Sequence, residues 1–509
     1  MSTLQDLPTL SQLLIDGGDA RLILQADGTN KYGCAAVPLN AHDEMFAFSS
    51  ATASSISAHA YTAAARTYAR LQHSEEDTYA SYAGYASELN QVRQDLKQLC
   101  GLEQRKDVDI VFAASGTDLH LIAAQLCANF SSAPTLVIMA DANETGSAVP
   151  SALMARHFSE RTALGEQVSA GSHIAQAKEV DIVSISLRLA DGTTRDSHDV
   201  DSEVETLTKQ AIQNGQAVLL IVMDVSKTGM MAPSLRTVMQ LRASYPQLQV
   251  MVDACQFRLS NASLRAYLDQ GYMVAMTGSK FLCGPSFSGA LFLPNAMHPG
   301  LKAISLPASL HAYSSRADWP SDWVAGGAKG LPARPNYGLL LRWVAALEEL
   351  RAFRALPDAA ILAFIQQFQH AVYAYFSSHP SLALLPVAAP DRSAIMAGQG
   401  WDQHTTIFSF VLMSPATSVS GKPQPYSHAD TLAIYRHLQK EKGMQLGQPV
   451  TCGMHHGQPI SALRLCLGAR QIVAAIQKNQ ASTIIAAALT VLDEVQREMR
   501  RVAAQSVAA

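Results

Sequence analysis

The feature that most constrains the fold is an alternation of short apolar runs with amphipathic segments between residues 109 and 279. The apolar runs have the length and composition of buried strands, and they occupy residues 109–114, 135–140, 217–225, 249–256 and 273–279. Helical spacing of apolar residues is found between several of these runs, as in 118–130 and 234–245. Strands that alternate with helices predict an α/β fold with a mostly parallel sheet sandwiched by helices.

The chain is also long enough for more than one domain. Its 509 residues fit two or three domains of ordinary size. A long amphipathic helix is predicted over 337–353, followed by further helices and by predicted strands at 405–413 and 462–468. We therefore predict three parts: an N-terminal segment (1–70), a large domain (71–335), and a linking helix with a smaller C-terminal α+β domain (336–509).

Composition narrows the classes of partner. Charged residues make up only 16% of the chain, and the formal net charge is −4, which favours a large core and extensive subunit contacts and indicates no nucleic-acid partner. The seven cysteines are odd in number and irregularly spaced, as is typical of reduced intracellular thiols. Because neither a signal peptide nor a bilayer-spanning apolar run is found, we expect a cytoplasmic protein with no membrane partner.

Polar residues follow several of the predicted strands, where ligands bind in open α/β sheets. One group per strand is expected to lie at the shared edge: Ser115, Gly116 and Thr117; Ser226, Lys227 and Thr228; Asp253 and Gln256; Thr277, Ser279 and Lys280. Lys280 stands within the stretch TGSKFLCGPSFSGALFLP, which otherwise looks buried. An amine shielded from water is more readily neutral, as a nucleophile must be.

These motifs carry a resemblance to a known family. The residues concerned are VDACQ, TGSKFLCGPSFSGALFLP with Asp253 placed 27 residues before Lys280, FAASGTD, and ARPNYGLLLRWVAALEE, which together cover roughly residues 100–360. The chain resembles pyridoxal-phosphate enzymes of the aspartate aminotransferase superfamily, fold type I. The nearer match is the class V group with cysteine desulfurases, kynureninase and phosphoserine aminotransferase. The resemblance implies a sheet of the seven-stranded type and pyridoxal 5'-phosphate as cofactor.

The resemblance also implies a role for each matching residue. Lys280 would form the Schiff base with the cofactor and be the catalytic residue, acting through a Cα carbanion of an amino-acid substrate. Asp253 would pair with the pyridine nitrogen, and Gln256 would bind the ring hydroxyl. Arg464 would bind the substrate α-carboxylate. The remaining expected cofactor-binding residues, several of them at the phosphate, are Ser115, Gly116, Thr117, Ser226, Thr277, Ser279 and Arg334.

Arg334 matches a threonine that in the class V group reaches the phosphate from the neighbouring subunit. The resemblance therefore implies a homodimer whose active site is shared across the interface. Two stretches of the N-terminal segment, 29–33 and 49–54, are candidates for a lid over that site.

The sequence departs from the family pattern at three places. Ser279 stands where relatives often carry a histidine, so a charge-assisted phosphate donor is lost. The stretch 140–152 has no aromatic residue or histidine to stack on the ring, which leaves Asn143, Glu144 or Thr145 for that place. Lys227 replaces a neutral polar residue, and it could balance Asp224, contact substrate or lie at the surface.

These residues leave the reaction type open. We rank an aminotransferase first. A carbon–sulfur lyase or a cysteine desulfurase that uses Cys452 is the alternative, and His455 and His456 could activate that thiol. A non-catalytic protein with this fold is a remote third possibility, because residues 1–70 show neither a DNA-binding helix pair nor basic charge. No metal site is predicted.

Overall fold

The computed structural model describes residues 7–72, 82–298, 300–396, 398, 400–414 and 423–508. Its helices are α1 (Leu10–Leu14), α2 (Ala41–Met45), α3 (Ala58–Gln72), α4 (Tyr82–Leu99), α5 (Gly116–Phe130), α6 (Val149–Leu153), α7 (Ser197–Gln213), α8 (Leu235–Ser244), α9 (Asn261–Asp269), α10 (Ser321–Val324), α11 (Tyr337–Arg354), α12 (Asp358–Ser378), α13 (His428–Lys442), α14 (Ala469–Gln477) and α15 (Ala481–Ala508). Its strands are β1 (Ala47–Phe48), β2 (Val108–Ala113), β3 (Thr135–Ala140), β4 (Val180–Ile185), β5 (Ala217–Met223), β6 (Gln249–Ala254), β7 (Met273–Thr277), β8 (Gly289–Pro294), β9 (Leu382–Leu384), β10 (Ile407–Ser414), β11 (Gln424–Pro425), β12 (Gln445–His455) and β13 (Gln458–Cys466).

A seven-stranded sheet forms the centre of the larger part of the chain. Its strand order is β2-β8-β7-β6-β5-β3-β4. Neighbouring strands run parallel except around β8, which lies antiparallel between β2 and β7. The predicted α/β class with a mostly parallel sheet is therefore confirmed.

The two faces of this sheet pack against separate hydrophobic cores. Along β2, Ile110 and Phe112 belong to one core, whereas Val111 and Ala113 belong to the other, as the alternation of side chains along a strand requires. Because helices cover both faces, a central strand such as β5 is apolar at every position and does not alternate with polar residues.

A second sheet contains most of the C-terminal strands. Its order is β1-β12-β13-β10-β11, with β9 also paired to β10. The N-terminal segment contributes β1, which runs parallel to β12. Helices α12, α13, α14 and α15 pack around this region, which gives it the predicted α+β character. None of the described helices combines the length and apolar character needed to span a bilayer.

Six strands among the described residues are not anticipated by the sequence patterns. β1, β9 and β11 are only two or three residues long, and β4, β8 and β12 are missed for separate physical reasons. β4 is the edge of the large sheet and buries only its two end residues, so its sequence lacks a continuous apolar run. β8 lies inside the small-residue stretch that follows Lys280. β12 contains Gly447, Pro449 and Gly453 and shifts register twice against β13, which obscures any alternation.

Candidate active site

A cavity of about 410 Å³ opens at the carboxyl ends of the parallel strands. Its walls come from the large sheet, from the N-terminal segment and from the second sheet. Ten of the residues expected at the site line it: Ser115, Gly116, Thr117, Ser226, Asp253, Gln256, Thr277, Ser279, Lys280 and Arg464. Both candidate lid stretches also reach it, through Lys31, Tyr32, Ala51 and Thr52. Motion of these stretches stays a prediction.

Lys280 follows β7 in a loop that must be built from small residues. A Cβ added at Gly278 would lie 2.6 Å from the Cβ of Ala346 in α11, and one added at Gly284 would lie 2.6 Å from the carbonyl oxygen of Gly278. Close packing of α11 against this loop therefore explains the glycines around the lysine. Lys280 itself is half-buried and lines the cavity.

Asp253, the penultimate residue of β6, is a buried carboxylate beside His120. His120 Nε2 lies 3.3 Å from Asp253 Oδ2, off the direction of a hydrogen bond, while His120 Nδ1 lies 2.7 Å from the Gly116 carbonyl oxygen. Cys255 N–H donates to Asp253 Oδ1 at 3.1 Å. Burial alone would raise the pKa of Asp253, but the charges of His120 and Lys280 and these contacts hold it well below its ordinary value. The carboxylate stays ionised, as a partner for a protonated ring nitrogen should be.

His120 was not identified from the sequence. It lies four residues after Gly116 on α5, among apolar residues that are almost all buried. A histidine in such a run is typical of the core, and only the approach of β6 to α5 places it against Asp253.

The three residues that open α5, which we call the α5 turn, are Ser115, Gly116 and Thr117. Ser115 caps the helix, because its Oγ accepts from the Asp118 N–H. The first helical hydrogen bond joins Leu119 N–H to the Ser115 carbonyl oxygen, which leaves the Gly116 and Thr117 N–H groups without a helical acceptor. Such a helix start suits an anion.

Neighbouring strands approach the α5 turn closely. A Cβ on Gly116 would lie 2.7 Å from Sγ of Cys255, the residue that follows β6, so a side chain here would displace that sulfur. Thr277 donates its hydroxyl proton to the Cys255 carbonyl at 2.7 Å, and its oxygen stays available to accept. Ser279 is buried beside them.

Arg21 is a second residue that was not identified from the sequence. It reaches the α5 turn from the N-terminal segment, with Nη1 3.3 Å from Thr117 Oγ1 and Nη2 3.4 Å from Ser115 Oγ. Asp19 binds its Nε at 3.0 Å. The phenyl ring of Phe287 lies 5.0 Å from the guanidinium carbon.

The three residues proposed for the ring face, Asn143, Glu144 and Thr145, all line the cavity. The carboxylate of Glu144 is occupied, since Arg188 Nε lies at 3.0 Å and the Ser226 and Thr228 hydroxyls donate to it at 2.6 and 2.7 Å. Ser226 therefore lines the cavity with its hydroxyl already used. Thr145 differs from its neighbour, because its buried hydroxyl has no hydrogen-bond partner in the described part of the chain.

Gln256 bridges the sheet and the N-terminal segment. Its Nε2 donates to the Ala51 carbonyl at 3.0 Å, and its buried Oε1 has no partner among the residues that the structure describes. An unsatisfied acceptor inside a cavity wall is a position where a ligand donor is favourable.

Two cationic side chains, Arg464 and Lys227, also line the cavity. Arg464 is 2% exposed and is held by the carbonyl oxygens of Gln448 and Lys227 and by the Thr52 hydroxyl, at 2.6, 3.2 and 2.7 Å. Lys227 Nζ donates to the Ala142 carbonyl at 2.9 Å. Burial, followed by the charges of Arg464 and Lys280, lowers the pKa of Lys227 to about 8. Neither cation pairs with a carboxylate within the described part of the chain.

Two candidates lie outside the cavity wall. Cys452 is buried in β12, its Sγ lies 3.8 Å from the Ile460 carbonyl, and burial raises the pKa of its thiol to about 11. Arg334 is exposed and does not line the cavity of its own chain. A contact with a partner subunit's phosphate site stays a prediction for Arg334.

Comparisons with known proteins add the fold and no closer relationship. No family model and no curated protein matches the chain. Among solved structures, the cysteine desulfurase CsdA from Escherichia coli is 15% identical, with a TM-score of 0.50 over 89% of this chain and 96% of that one. The NifS-like protein from Rickettsia africae is 12% identical, with a TM-score of 0.51 over 89% and 99%. The chain therefore has the cysteine desulfurase-like fold, the fold type I architecture that the sequence resemblance implied.

Proposed function

We propose that the protein is a pyridoxal-phosphate-dependent enzyme that acts on an amino acid, and that its reaction is transamination. The observation that carries the proposal is the convergence of Lys280, Asp253 and the α5 turn on one cavity. These residues come from the ends of three different strands, and together they offer an amine, an ionised carboxylate and an anion site.

The residues present fit this cofactor. The cavity, at about 410 Å³, is within the usual range for a small-molecule site. Two buried polar atoms on its wall, Thr145 Oγ1 and Gln256 Oε1, lack a hydrogen-bond partner among the described residues, as expected where a polar ligand completes the hydrogen bonding. The free N–H groups of the α5 turn suit a phosphate.

Each side chain then has a separate task. When bound, pyridoxal phosphate supplies an aldehyde that condenses with amines and a ring that withdraws electrons from the amino-acid Cα. Asp253 accepts a hydrogen bond from the ring nitrogen and, being ionised, holds a proton on that atom. Lys280 carries the amine that holds the cofactor and moves the proton at Cα. Arg464, which pairs with no carboxylate in the described ranges, binds the substrate carboxylate.

The geometry bears on the choice between transamination and desulfuration. A desulfurase nucleophile must be an accessible and readily ionised thiol. All seven cysteines are buried, and the pKa of Cys452 is raised to about 11. We therefore place a Cys452-dependent reaction behind transamination, while β-elimination needs no thiol and is distinguished by its products.

The experiment is a titration of the purified protein with pyridoxal phosphate, followed in the visible spectrum, with borohydride reduction and peptide mapping. We expect a modified peptide at Lys280, loss of that peptide in Lys280→Gln, and its retention in the matched variant Lys227→Gln, the other lysine of the same wall. A protein that binds no cofactor, or that is modified elsewhere, contradicts the proposal.

Products identify the reaction. With a panel of amino acids, transamination gives a keto acid and pyridoxamine phosphate, elimination gives pyruvate and ammonia from a β-substituted substrate, and desulfuration gives alanine and sulfide or sulfur. The Cys452→Ala substitution should leave turnover unchanged. Loss of turnover in this variant would make a desulfurase the favoured function.

A further inference from the structure

We propose that Arg21, a residue of the N-terminal segment, binds the cofactor phosphate from within the same chain. The inference rests on the proposed function and adds to it a ligand that lies about 90 residues away in sequence from the α5 turn. It assigns to the N-terminal segment a part of the cofactor site.

The guanidinium is placed where a phosphate would bind. Its Nη1 lies 3.3 Å from Thr117 Oγ1. Its Nη2 lies 3.4 Å from Thr117 Oγ1 and 3.4 Å from Ser115 Oγ. These distances are long for charge-assisted contacts, which are usually below about 3 Å. The two hydroxyls therefore leave the guanidinium N–H groups available for a stronger acceptor at the α5 turn.

The orientation of Arg21 is fixed by groups behind it. Asp19, which is buried, accepts from Nε at 3.0 Å and from Nη2 at 2.5 Å. Phe287 covers the guanidinium at 5.0 Å, a distance typical of cation–π contact. A guanidinium with five N–H donors retains at least two for the cavity after Asp19 is satisfied, so the charge is held in place without being fully used.

The electrostatic balance at the α5 turn requires this cation. Asp19 stands next to Arg21, and Asp118 lies directly behind Ser115 at 2.5 Å from its hydroxyl. Burial, and then the charge of Asp19, raises the pKa of Asp118 to about 7. Arg21 acts in the opposite direction and lowers the pKa of Asp118. Without Arg21, Asp19 would lose the cation that pairs with it, and its negative charge near the α5 turn would repel an incoming phosphate.

Arg21 also supplies the positive charge that is missing at residue 279, where relatives often carry a histidine. Ser279 is buried and neutral beside Lys280, so the segment before the lysine brings no cation to the phosphate. Arg334 is exposed on its own chain, whereas Arg21 is already at the α5 turn. The structure thus offers a cation that needs no partner subunit.

The test compares pyridoxal phosphate with pyridoxal, which lacks the phosphate. We expect Arg21→Gln to weaken binding of pyridoxal phosphate by about 10- to 100-fold and to leave pyridoxal binding unchanged, as measured by spectral titration. The matched control is Arg105→Gln, because this arginine also pairs with aspartates, Asp107 and Asp269. It precedes the amino end of β2, whereas the α5 turn follows the carboxyl end of that strand.

Equal losses for the two ligands, or no loss for either, would overturn the assignment. Pyridoxal binding also reports whether the variant is folded. If Arg21→Gln does not fold, Arg21→Lys serves instead, and it should lose selectively for pyridoxal phosphate by a smaller factor, because the charge remains but the fork is lost. A wild-type protein that binds neither ligand would reject the proposed function itself, which is a different result from unaltered selectivity.

Discussion

Replacement of Arg464 by methionine gives the sharpest prediction about the substrate. Arg464 is 2% exposed, and its guanidinium makes four hydrogen bonds: two to the Gln448 carbonyl, one to the Lys227 carbonyl and one to the Thr52 hydroxyl. A guanidinium has five N–H groups. One N–H, on Nη1, is therefore left for a ligand, since Nη2 and Nε are occupied.

This count sets the size of the effect. A single hydrogen bond to a charged group contributes about 1.5–3 kcal/mol, which corresponds to about 10- to 150-fold in affinity. A bidentate clamp would exceed this range, but it would need the Gln448 contacts to break. We therefore expect Arg464→Met to weaken binding of an amino-acid substrate by about 10- to 150-fold and to leave cofactor binding intact.

The assay compares the amino acid with the amine that lacks its carboxylate, both titrated into the holoenzyme through the visible spectrum. Wild type should prefer the acid, and Arg464→Met should lose that preference. Arg258→Met is the matched control. Arg258 is also buried, is held by Thr406, Leu467 and Ser50, and pairs with no carboxylate of the described segments, but it does not line the cavity. An equal loss for acid and amine, or the same loss in Arg258→Met, would refute the reasoning.

Two further predictions follow from charges in or near the cavity. Because the pKa of Lys227 lies at about 8, its positive charge is lost as pH rises through 8, and binding of an anionic substrate to the wild-type protein should weaken above that pH. The Lys227→Met variant should bind the substrate more weakly at pH 7 and lose this pH dependence, as measured by spectral titration. A pH dependence that the variant retains would assign the charge to another residue. Arg392 and Asp224 form a fully buried ion pair at 2.6 Å, so Arg392→Met leaves the charge of a buried carboxylate unpaired. The free energy of unfolding, measured by denaturant titration, should fall by about 3–5 kcal/mol. Addition of Asp224→Asn should recover part of that loss, and no recovery would show that the pair is not the cause.

The central fold and much of the site follow from the sequence for one physical reason. Parallel strands buried on both faces need continuous apolar runs, and those runs are visible at 135–140 and 217–223. Their carboxyl ends share an edge, so residues as distant as Ser115 and Lys280 are predicted together and are found on one cavity wall. Here sequence order and spatial order are linked by regular topology.

Arg21 and His120 were not predicted, because regular topology does not relate their sequence positions to their positions at the site. Arg21 lies in an irregular segment, and its place depends on contacts with Asp19 and Phe287 that have no sequence period. His120 lies on a buried helix face, where a histidine has the pattern of a core residue. Loops and buried polar residues are positioned by tertiary contacts, and these contacts are formed between segments that no local pattern pairs.

Glu144 illustrates how such a contact changes the chemistry inferred for the site. An acidic residue at the ring face is unexpected beside an electron-withdrawing cofactor, because an unpaired carboxylate would alter the charge around the ring. Arg188 lies 3.0 Å from Glu144 Oε1, and the hydroxyls of Ser226 and Thr228 donate to the same carboxylate. The Arg188 guanidinium thereby balances the negative charge of the carboxylate, which links the loops that follow β3 and β5. The Thr145 hydroxyl, which has no partner within the ranges that the structure describes, is then available to a ligand, and the acidic residue gives no reason to exclude transamination.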